Sequence, residues 1–126
     1  PYGHFVYKKE RRPAVFVGTG TGVAPFAAFA GAGVSGYILL QGARHRTDLI
    51  YRKILEKNSR QYVPCLTRDA GAPSAFQGRV TQYLDQVLPK GEYQFYICGG
   101  SQMIQDAMDV IDRRFPGSLV FTERFN

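Results

Sequence analysis

The segment from Ala14 to Ala43 contains no charged residue, and this constrains the fold more than any other feature of the sequence. Its length alone would allow a membrane-spanning helix. The segment is interrupted, however, by seven glycines and by Pro25. Glycine and proline at these positions predict a strand, a loop, a helix, a second loop and a second strand in succession. We therefore expect a buried α/β unit here and no membrane segment.

The rest of the chain continues this alternation. Short apolar runs predict strands at 14–18, 37–41, 62–67, 93–98 and 119–121. Helical spacing of apolar residues predicts helices at 25–30, 48–58, 80–88 and 101–115. Strands that alternate with helices predict a Rossmann-like α/β fold, an open five-stranded parallel sheet with helices on both faces. In such sheets ligands bind at the carboxyl ends of the strands.

Length, charge and cysteine spacing restrict the function classes. A chain of 126 residues is long enough for one domain with its own core. The net charge of +6 favours anionic partners, but no nucleic-acid motif with interleaved aromatic residues accompanies it. Cys65 and Cys98 lie far apart and lack the spacing of a disulfide framework or a metal site. No secretory signal is present, so we expect a reducing, cytoplasmic compartment.

The loop after the first strand is rich in glycine and threonine. Its sequence, Gly18-Thr-Gly-Thr-Gly-Val-Ala-Pro25, lets backbone amides approach an anion at the start of a helix. The loop is neither a G-x-G-x-x-G fingerprint nor a P-loop, and the second strand lacks a terminal acid to bind a ribose. We interpret it as a diphosphate cradle; the alternative is a turn kept for tight packing.

Arginines follow later strands at the same edge of the sheet. Arg44 follows the second strand, Thr67 and Arg68 follow the third, and Arg79 ends the next loop. Three guanidiniums and a hydroxyl would bind a phosphate dianion, because arginine offers forked donors to its oxygens. The alternative is that they are surface arginines paired with neighbouring aspartates.

Two further segments carry candidate residues. Cys98 ends the fourth strand and is followed by Gly99, Gly100 and Met103, a turn on which a flat ligand could lie beside a thiol. Glu123 and Phe125 follow the last strand. A lone cysteine is more often simply buried, and no histidine lies nearby to form a Cys-His dyad.

Together these motifs resemble the pyridine-nucleotide domain of the ferredoxin–NADP reductase superfamily. The resemblance rests on Thr-Gly-Thr-Gly-Val-Ala-Pro, Cys-Gly-x-x-x-Met and Glu-x-Phe, in this order and spacing. It implies that Thr19, Gly20, Thr21 and Gly22 line the diphosphate and nicotinamide-ribose site. It further implies that Cys98 and Glu123 are catalytic, beside the nicotinamide. Phe125 matches an aromatic ring that family members place against the flavin.

The resemblance also bears on the cofactor. Relatives that prefer NADPH carry a Ser-Arg or Thr-Arg pair after the third strand, which Thr67 and Arg68 match, and Arg44 and Arg79 match further basic positions. We therefore expect NADP(H) rather than NAD(H). An NADH-dependent reductase component of an oxygenase or electron-transfer chain remains open, as does a non-catalytic nucleotide-binding or docking module.

One departure concerns the flavin. The family binds FAD through a preceding barrel with an Arg-x-Tyr-Ser/Thr motif, which this chain lacks. Residues 1–5 resemble the last strand of that barrel, so we interpret residues 1–12 as its remnant or a lead-in and 13–126 as the NAD(P)-binding domain. The expected whole is a flavoprotein that moves hydride between NADPH and FAD and passes electrons to ferredoxin, flavodoxin or a similar carrier. Alone, this domain is expected to be inactive.

Overall fold

The computed structural model describes residues 5–125. The expectation that residues 1–4 continue a barrel strand, and the assignment of Asn126 to the nucleotide domain, lie outside this range. No helix within residues 5–125 is long and apolar enough to cross a membrane.

One parallel sheet organises the described chain. Its strands are β1 (Ala14–Thr19), β2 (Tyr37–Ala43), β3 (Ser59–Leu66), β4 (Phe76–Gln77), β5 (Gln94–Gly99) and β6 (Leu119–Arg124). Their order across the sheet is β4-β3-β2-β1-β5-β6, and every neighbouring pair is parallel. The predicted open parallel sheet is confirmed. Its strand number was wrong, because the sheet has six strands and not five.

The additional strand is β4, at the edge of the sheet. Its two residues pair with Cys65 and Leu66 of β3, inside a segment that glycine, proline and serine marked as a loop. Such a short strand forms because the fold places the loop beside β3, and not because of the composition of the loop. No local sequence pattern therefore predicts it.

Within residues 5–125, four α-helices lie between strands. They are α1 (Ala24–Gly31), α2 (Arg52–Asn58), α3 (Val80–Gln86) and α4 (Ser101–Arg114). The start of α2 differs from the prediction, since residues 46–48 form a separate 3-10 turn and Tyr51 has a left-handed φ of 58°. A non-glycine residue in that conformation interrupts a right-handed helix. The predicted helix from residue 48 therefore begins at Arg52.

The helices cover both faces of the sheet, as predicted. On one face, Val15, Val17 and Ile97 pack against α3 and α4; we call this the α3/α4 face. On the other, Phe16 and Tyr96 pack with residues of α1 and α2; we call this the α1/α2 face. Because side chains alternate along a strand, neighbouring residues of β1 and β5 contribute to opposite cores.

The topology fixes where a ligand can bind. The chain runs from β1 outward through β2 and β3 to β4, then returns to add β5 on the other side of β1. Strand order therefore reverses at β1. The crevice at the carboxyl end of this strand is where open α/β sheets bind ligands.

The segment before β1 packs on the α1/α2 face. Buried Gln94 donates its amide to the Lys8 carbonyl at 3.0 Å, and the Tyr96 hydroxyl accepts the Lys8 amide at 2.9 Å. Phe5 is buried in the same core. The described part of the lead-in is thus attached to the sheet by buried hydrogen bonds and aromatic packing.

Candidate functional site

The glycine loop lies at the carboxyl end of β1. Thr19 ends the strand, and residues 20–23 form a 3-10 turn that leads directly into α1. Gly20 has a φ of +54°, a conformation that disfavours a side chain. A Cβ on Gly22 would lie 2.4 Å from the Cys98 carbonyl oxygen. Gly22 is therefore needed for packing of the loop against β5, so the packing alternative holds at this glycine.

A cleft of about 480 Å³ opens beside this loop on the α3/α4 face. Its volume is typical of small-molecule and cofactor sites. Six residues singled out by the sequence line it: Thr19, Gly20, Arg44, Thr67, Arg79 and Met103. The carboxyl ends of β1, β2 and β3 and the first turns of α3 and α4 all contribute to its walls. The structure thus brings together residues that lie far apart in the sequence.

The charges in the cleft are mixed. Arg44 and Arg79 face it together with the carboxylates of Asp48 and Asp106. Within residues 5–125 neither guanidinium lies within 4.0 Å of a carboxylate oxygen, so the structure does not pair them as surface ion pairs. Unpaired guanidiniums at a cleft have donors available for phosphate oxygens.

Arg68 lies differently from its neighbour Thr67. Its backbone amide donates to the Arg44 carbonyl at 2.9 Å, but its side chain is not part of the described cleft lining. Arg68 is exposed, and within the described chain it has no ion pair. The three expected guanidiniums therefore do not all line one cavity.

Cys98 and Glu123 lie on the α1/α2 face, across the sheet from the cleft. They are register partners on β5 and β6. Cys98 is fully buried, and burial, together with the nearby charge of Glu123, raises the pKa of its thiol to about 12. The thiol is therefore neutral near pH 7 and is not a nucleophilic thiolate.

Glu123 carries the most informative polar atom of this region. Its Oε2 is buried and has no hydrogen-bond partner within residues 5–125. Buried carboxylate oxygens are normally hydrogen-bonded, so this oxygen is an acceptor available to a donor from outside residues 5–125. Two residues further along the chain, the Phe125 amide donates to the Gly99 carbonyl at 2.8 Å.

Gly99, Gly100 and Thr21 are the remaining candidates from the two glycine-containing turns. A Cβ on Gly99 would come within 2.6 Å of Met103 Cε and 3.1 Å of Thr19 Oγ1. Gly100 precedes α4 as its N-cap and is exposed, as is Thr21. The turn after β5 therefore packs directly against the loop after β1.

Among the lining residues that sequence reasoning did not propose, four have hydroxyl, amide or carboxylate side chains: Asp48, Thr81, Gln102 and Asp106. Gln102 donates to Asp106 at 2.9 Å, one helical turn along α4. Helical spacing could have predicted Asp106, because it lies three positions after Met103 and therefore on the same side of the helix. Asp48 is the last residue of a 3-10 turn whose geometry the sequence did not reveal.

A parallel sheet with a reversal of strand order, a glycine loop at that point and an arginine-lined cleft defines a nucleotide-binding α/β domain. The profile of the oxidoreductase NAD-binding domain family matches residues 16–109. The chain belongs to this family. The resemblance to the pyridine-nucleotide domain of ferredoxin–NADP reductases is thereby confirmed.

Individual relatives agree with this assignment. The chain is 29% identical to inducible nitric oxide synthase of Gallus gallus, over 93% of this chain and 12% of that protein. It is 31% identical to the toluate 1,2-dioxygenase electron transfer component of Pseudomonas putida, over 83% of this chain and 34% of that protein. The solved structure of the Amycolatopsis reductase GcoB is 26% identical, with a TM-score of 0.72 over 94% of this chain and 39% of that one.

These relatives are much longer than the chain. The chain spans 12% and 34% of the lengths of the two curated relatives. The matches therefore identify the domain that this chain forms.

Proposed function

We propose that this chain is the NADP(H)-binding half of a flavin-dependent oxidoreductase that transfers hydride between NADPH and an FAD held by another domain. The observation that carries the proposal is the cleft at the reversal of strand order, with Arg44 and Arg79 in its walls and neither of them in an ion pair with another of residues 5–125. Thr67 adds a hydroxyl at the same edge. A 2′-phosphate needs this kind of donor set.

The residues present fit a pyridine nucleotide at both ends. Thr19 and Gly20 line the cleft at the end of β1, where a diphosphate would lie. On the opposite face, the Oε2 of Glu123, which has no partner in the part of the chain that the structure describes, offers an acceptor to a carboxamide or ribose donor. The neutral thiol of Cys98 presents no charge beside a nicotinamide. These residues bind and orient, and hydride transfer itself is the chemistry of nicotinamide and flavin.

Phe125 is proposed to cover the nicotinamide side of the flavin. It is half-buried and packs against the aromatic core of the α1/α2 face. A ring in this place excludes water from a hydride-transfer site, which requires donor and acceptor within about 3–3.5 Å.

The electron acceptor is proposed to be ferredoxin, flavodoxin or a similar carrier. The support is family membership together with relatives described as electron transfer components and reductases. The FAD-binding domain of the same parent protein is the other proposed partner.

The acidic residues of the cleft favour NAD(H) as the alternative cofactor. Asp48 and Asp106 line the cleft, whereas Arg68 does not. Carboxylates oppose a phosphate dianion, and they accept hydrogen bonds from ribose hydroxyls. An NADH-dependent reductase component is therefore the alternative.

Calorimetric titration with 2′,5′-ADP and 5′-AMP tests the proposal, because the adenine end of the cofactor binds without the flavin domain. Tighter binding of 2′,5′-ADP supports NADP(H), equal binding supports NAD(H), and no binding of either favours a docking module. Arg44→Ala and Arg79→Ala should weaken 2′,5′-ADP by about ten- to hundredfold and 5′-AMP less, since each removes a charge-assisted contact.

Two further variants sharpen the titration. Arg68→Ala tests the arginine at the rim, and we expect it to affect 2′,5′-ADP more than 5′-AMP. Arg113→Ala is the matched control, because Arg113 pairs with Asp85 at 3.0 Å and does not line the cleft. Equal losses for both nucleotides on Arg44→Ala and Arg79→Ala would exclude a 2′-phosphate role for these arginines.

Hydride transfer needs a different assay. Reconstitution with the FAD-binding domain, followed by stopped-flow reduction with NADPH, separates a reductase from a non-catalytic nucleotide-binding module. Flavin reduction on mixing supports the reductase. Nucleotide binding without flavin reduction supports the module.

A further inference from the structure

Gln41 is a buried polar residue near the carboxyl end of β2. It is 1% exposed, and its side chain lies on the α1/α2 face, because Leu39 two residues earlier packs in that core. It does not line the nucleotide cleft. At this end of the second strand the sequence has no acidic residue that could bind the ribose hydroxyls of a nucleotide. The structure gives the glutamine other partners.

Both ends of the Gln41 amide are hydrogen-bonded. Its Nε2 donates to the Ile50 carbonyl at 2.9 Å, and its Oε1 accepts the Tyr62 hydroxyl at 2.7 Å. Burial raises the pKa of Tyr62, so its hydroxyl stays protonated and remains a donor. The Arg52 guanidinium lies 5.5 Å from the centroid of the same tyrosine ring. The amide is therefore fixed in one orientation.

The Ile50 carbonyl belongs to the loop of residues 44–51, between β2 and α2. This loop carries Arg44 and Asp48 into the cleft, although all residues from 44 to 48 are exposed. On its outer side, the Arg46 amide donates to Asp69 at 2.9 Å. Gln41 supplies a side-chain hydrogen bond to this loop from within the buried sheet.

The loop also needs such support. It contains a 3-10 turn and a left-handed Tyr51, a conformation that costs a non-glycine residue free energy and persists only where its surroundings fix it. The hydrogen bond to Ile50 holds the residue directly before this strained position.

We propose that Gln41 is a positioning residue for the nucleotide cleft, which holds loop 44–51 through the Ile50 carbonyl and thereby fixes the guanidinium of Arg44 toward the bound phosphate. The inference rests on the proposed function, since Arg44 is the group through which Gln41 acts. In this way a buried glutamine on the opposite face of the sheet would contribute to the affinity of the cleft for a nucleotide.

The test is Gln41→Met, which keeps the length of the side chain and removes both hydrogen bonds. Gln94→Met is a closely matched control. Gln94 is also 1% exposed, donates to a backbone carbonyl and accepts a tyrosine hydroxyl on the same face, but it holds Lys8 and not the cleft loop. Calorimetric titration with 2′,5′-ADP should show binding about five- to tenfold weaker for Gln41→Met and less than about twofold weaker for Gln94→Met.

A double-mutant cycle separates positioning from general destabilisation. In an Arg44→Ala background, Gln41→Met should cause little further loss of 2′,5′-ADP binding, because the group that it positions is gone. If Gln41→Met weakens binding equally in both backgrounds, the effect does not pass through Arg44 and the proposal is overturned. Equal binding by wild type and Gln41→Met overturns it as well.

A milder variant covers the case in which Gln41→Met does not fold. Tyr62→Phe removes only the hydroxyl and leaves the bond to Ile50, so it should weaken binding in the same direction by a smaller factor. An unchanged affinity with faster amide exchange in loop 44–51 would show a purely structural role. Absence of 2′,5′-ADP and 5′-AMP binding by the wild type would overturn the proposed function itself, which is distinguishable from failure of the variants alone.

Discussion

Gly22→Ala should both destabilise the chain and impair the nucleotide cleft. The added Cβ would lie 2.4 Å from the carbonyl oxygen of Cys98 and 3.0 Å from its carbonyl carbon. These atoms belong to the backbone of β5, which is paired on both sides and cannot rotate away. The glycine loop must move instead. Overpacking of this kind costs about 1–3 kcal/mol, which for 126 residues lowers the melting temperature by about 4–11 °C.

Thermal unfolding followed by circular dichroism measures this effect, with Gly31→Ala as the control. Gly31 lies at the end of α1, and a Cβ there would meet only Ile54 at 4.0 Å. Alanine also favours the helix, so this variant should be as stable as wild type or slightly more stable. Gly22→Ala should in addition bind 5′-AMP more weakly, because the displaced loop carries Thr19 and Gly20 at the cleft. A Gly22→Ala chain with wild-type stability would refute the close approach of the loop to β5.

Three further predictions concern titration and buried hydrogen bonds. Burial raises the pKa of both Cys65 and Cys98 from 9.0 to about 12, so the unfolded chain loses protons first, and the free energy of unfolding should fall between these pH values. The slope should be at most about 1.4 kcal/mol per pH unit for each thiol, and urea titrations should show a shallower slope after Cys98→Ala. Glu123→Gln should lower the pKa of Cys98, as measured from the pH dependence of the NMR shift of its Cβ; an unchanged pKa would contradict the coupling. Tyr96→Phe should cost about 1–2 kcal/mol and speed hydrogen exchange at the Lys8 amide, which otherwise donates to the tyrosine hydroxyl.

The sheet and helices were predictable because buried elements have a recognisable pattern of apolar residues in the sequence. A strand covered on both faces must be apolar throughout, as Ala14–Val17 is, and a helix on its surface must be apolar at helical spacing, as α4 is. The edge strand β4 and the start of α2 were not predictable in this way. Both depend on backbone geometry, the first on pairing with a distant strand and the second on the left-handed Tyr51.

The meeting of loops at one edge of the sheet followed from topology, but the face on which each side chain lies did not enter the prediction. Alternation along β5 places Cys98 in the core of the α1/α2 face, whereas the cleft opens on the other. The same limit applies to Thr67 and Arg68, of which only the first lines the cleft. Counting the candidate residues in the loops after the strands therefore overestimates how many side chains line a single cavity.

The distribution of the candidate residues over both faces constrains the shape of any ligand that contacts them all. Arg44 and Arg79 lie in the cleft of the α3/α4 face, and the Glu123 oxygen that has no partner among residues 5–125 lies on the α1/α2 face. A ligand that joins them must be extended, anionic at one end and a hydrogen-bond donor at the other, and must cross the ends of β1 and β5. At that crossing a Cβ on Gly22 would collide with the Cys98 carbonyl of β5, and a Cβ on Gly99 would collide with Met103 of α4. A pyridine dinucleotide has this shape and this order of groups, whereas a compact anion would engage the arginines alone and leave Glu123 unaffected. Protection of the Phe125 amide from hydrogen exchange by the dinucleotide, but not by 2′,5′-ADP, would show that the ligand spans both faces.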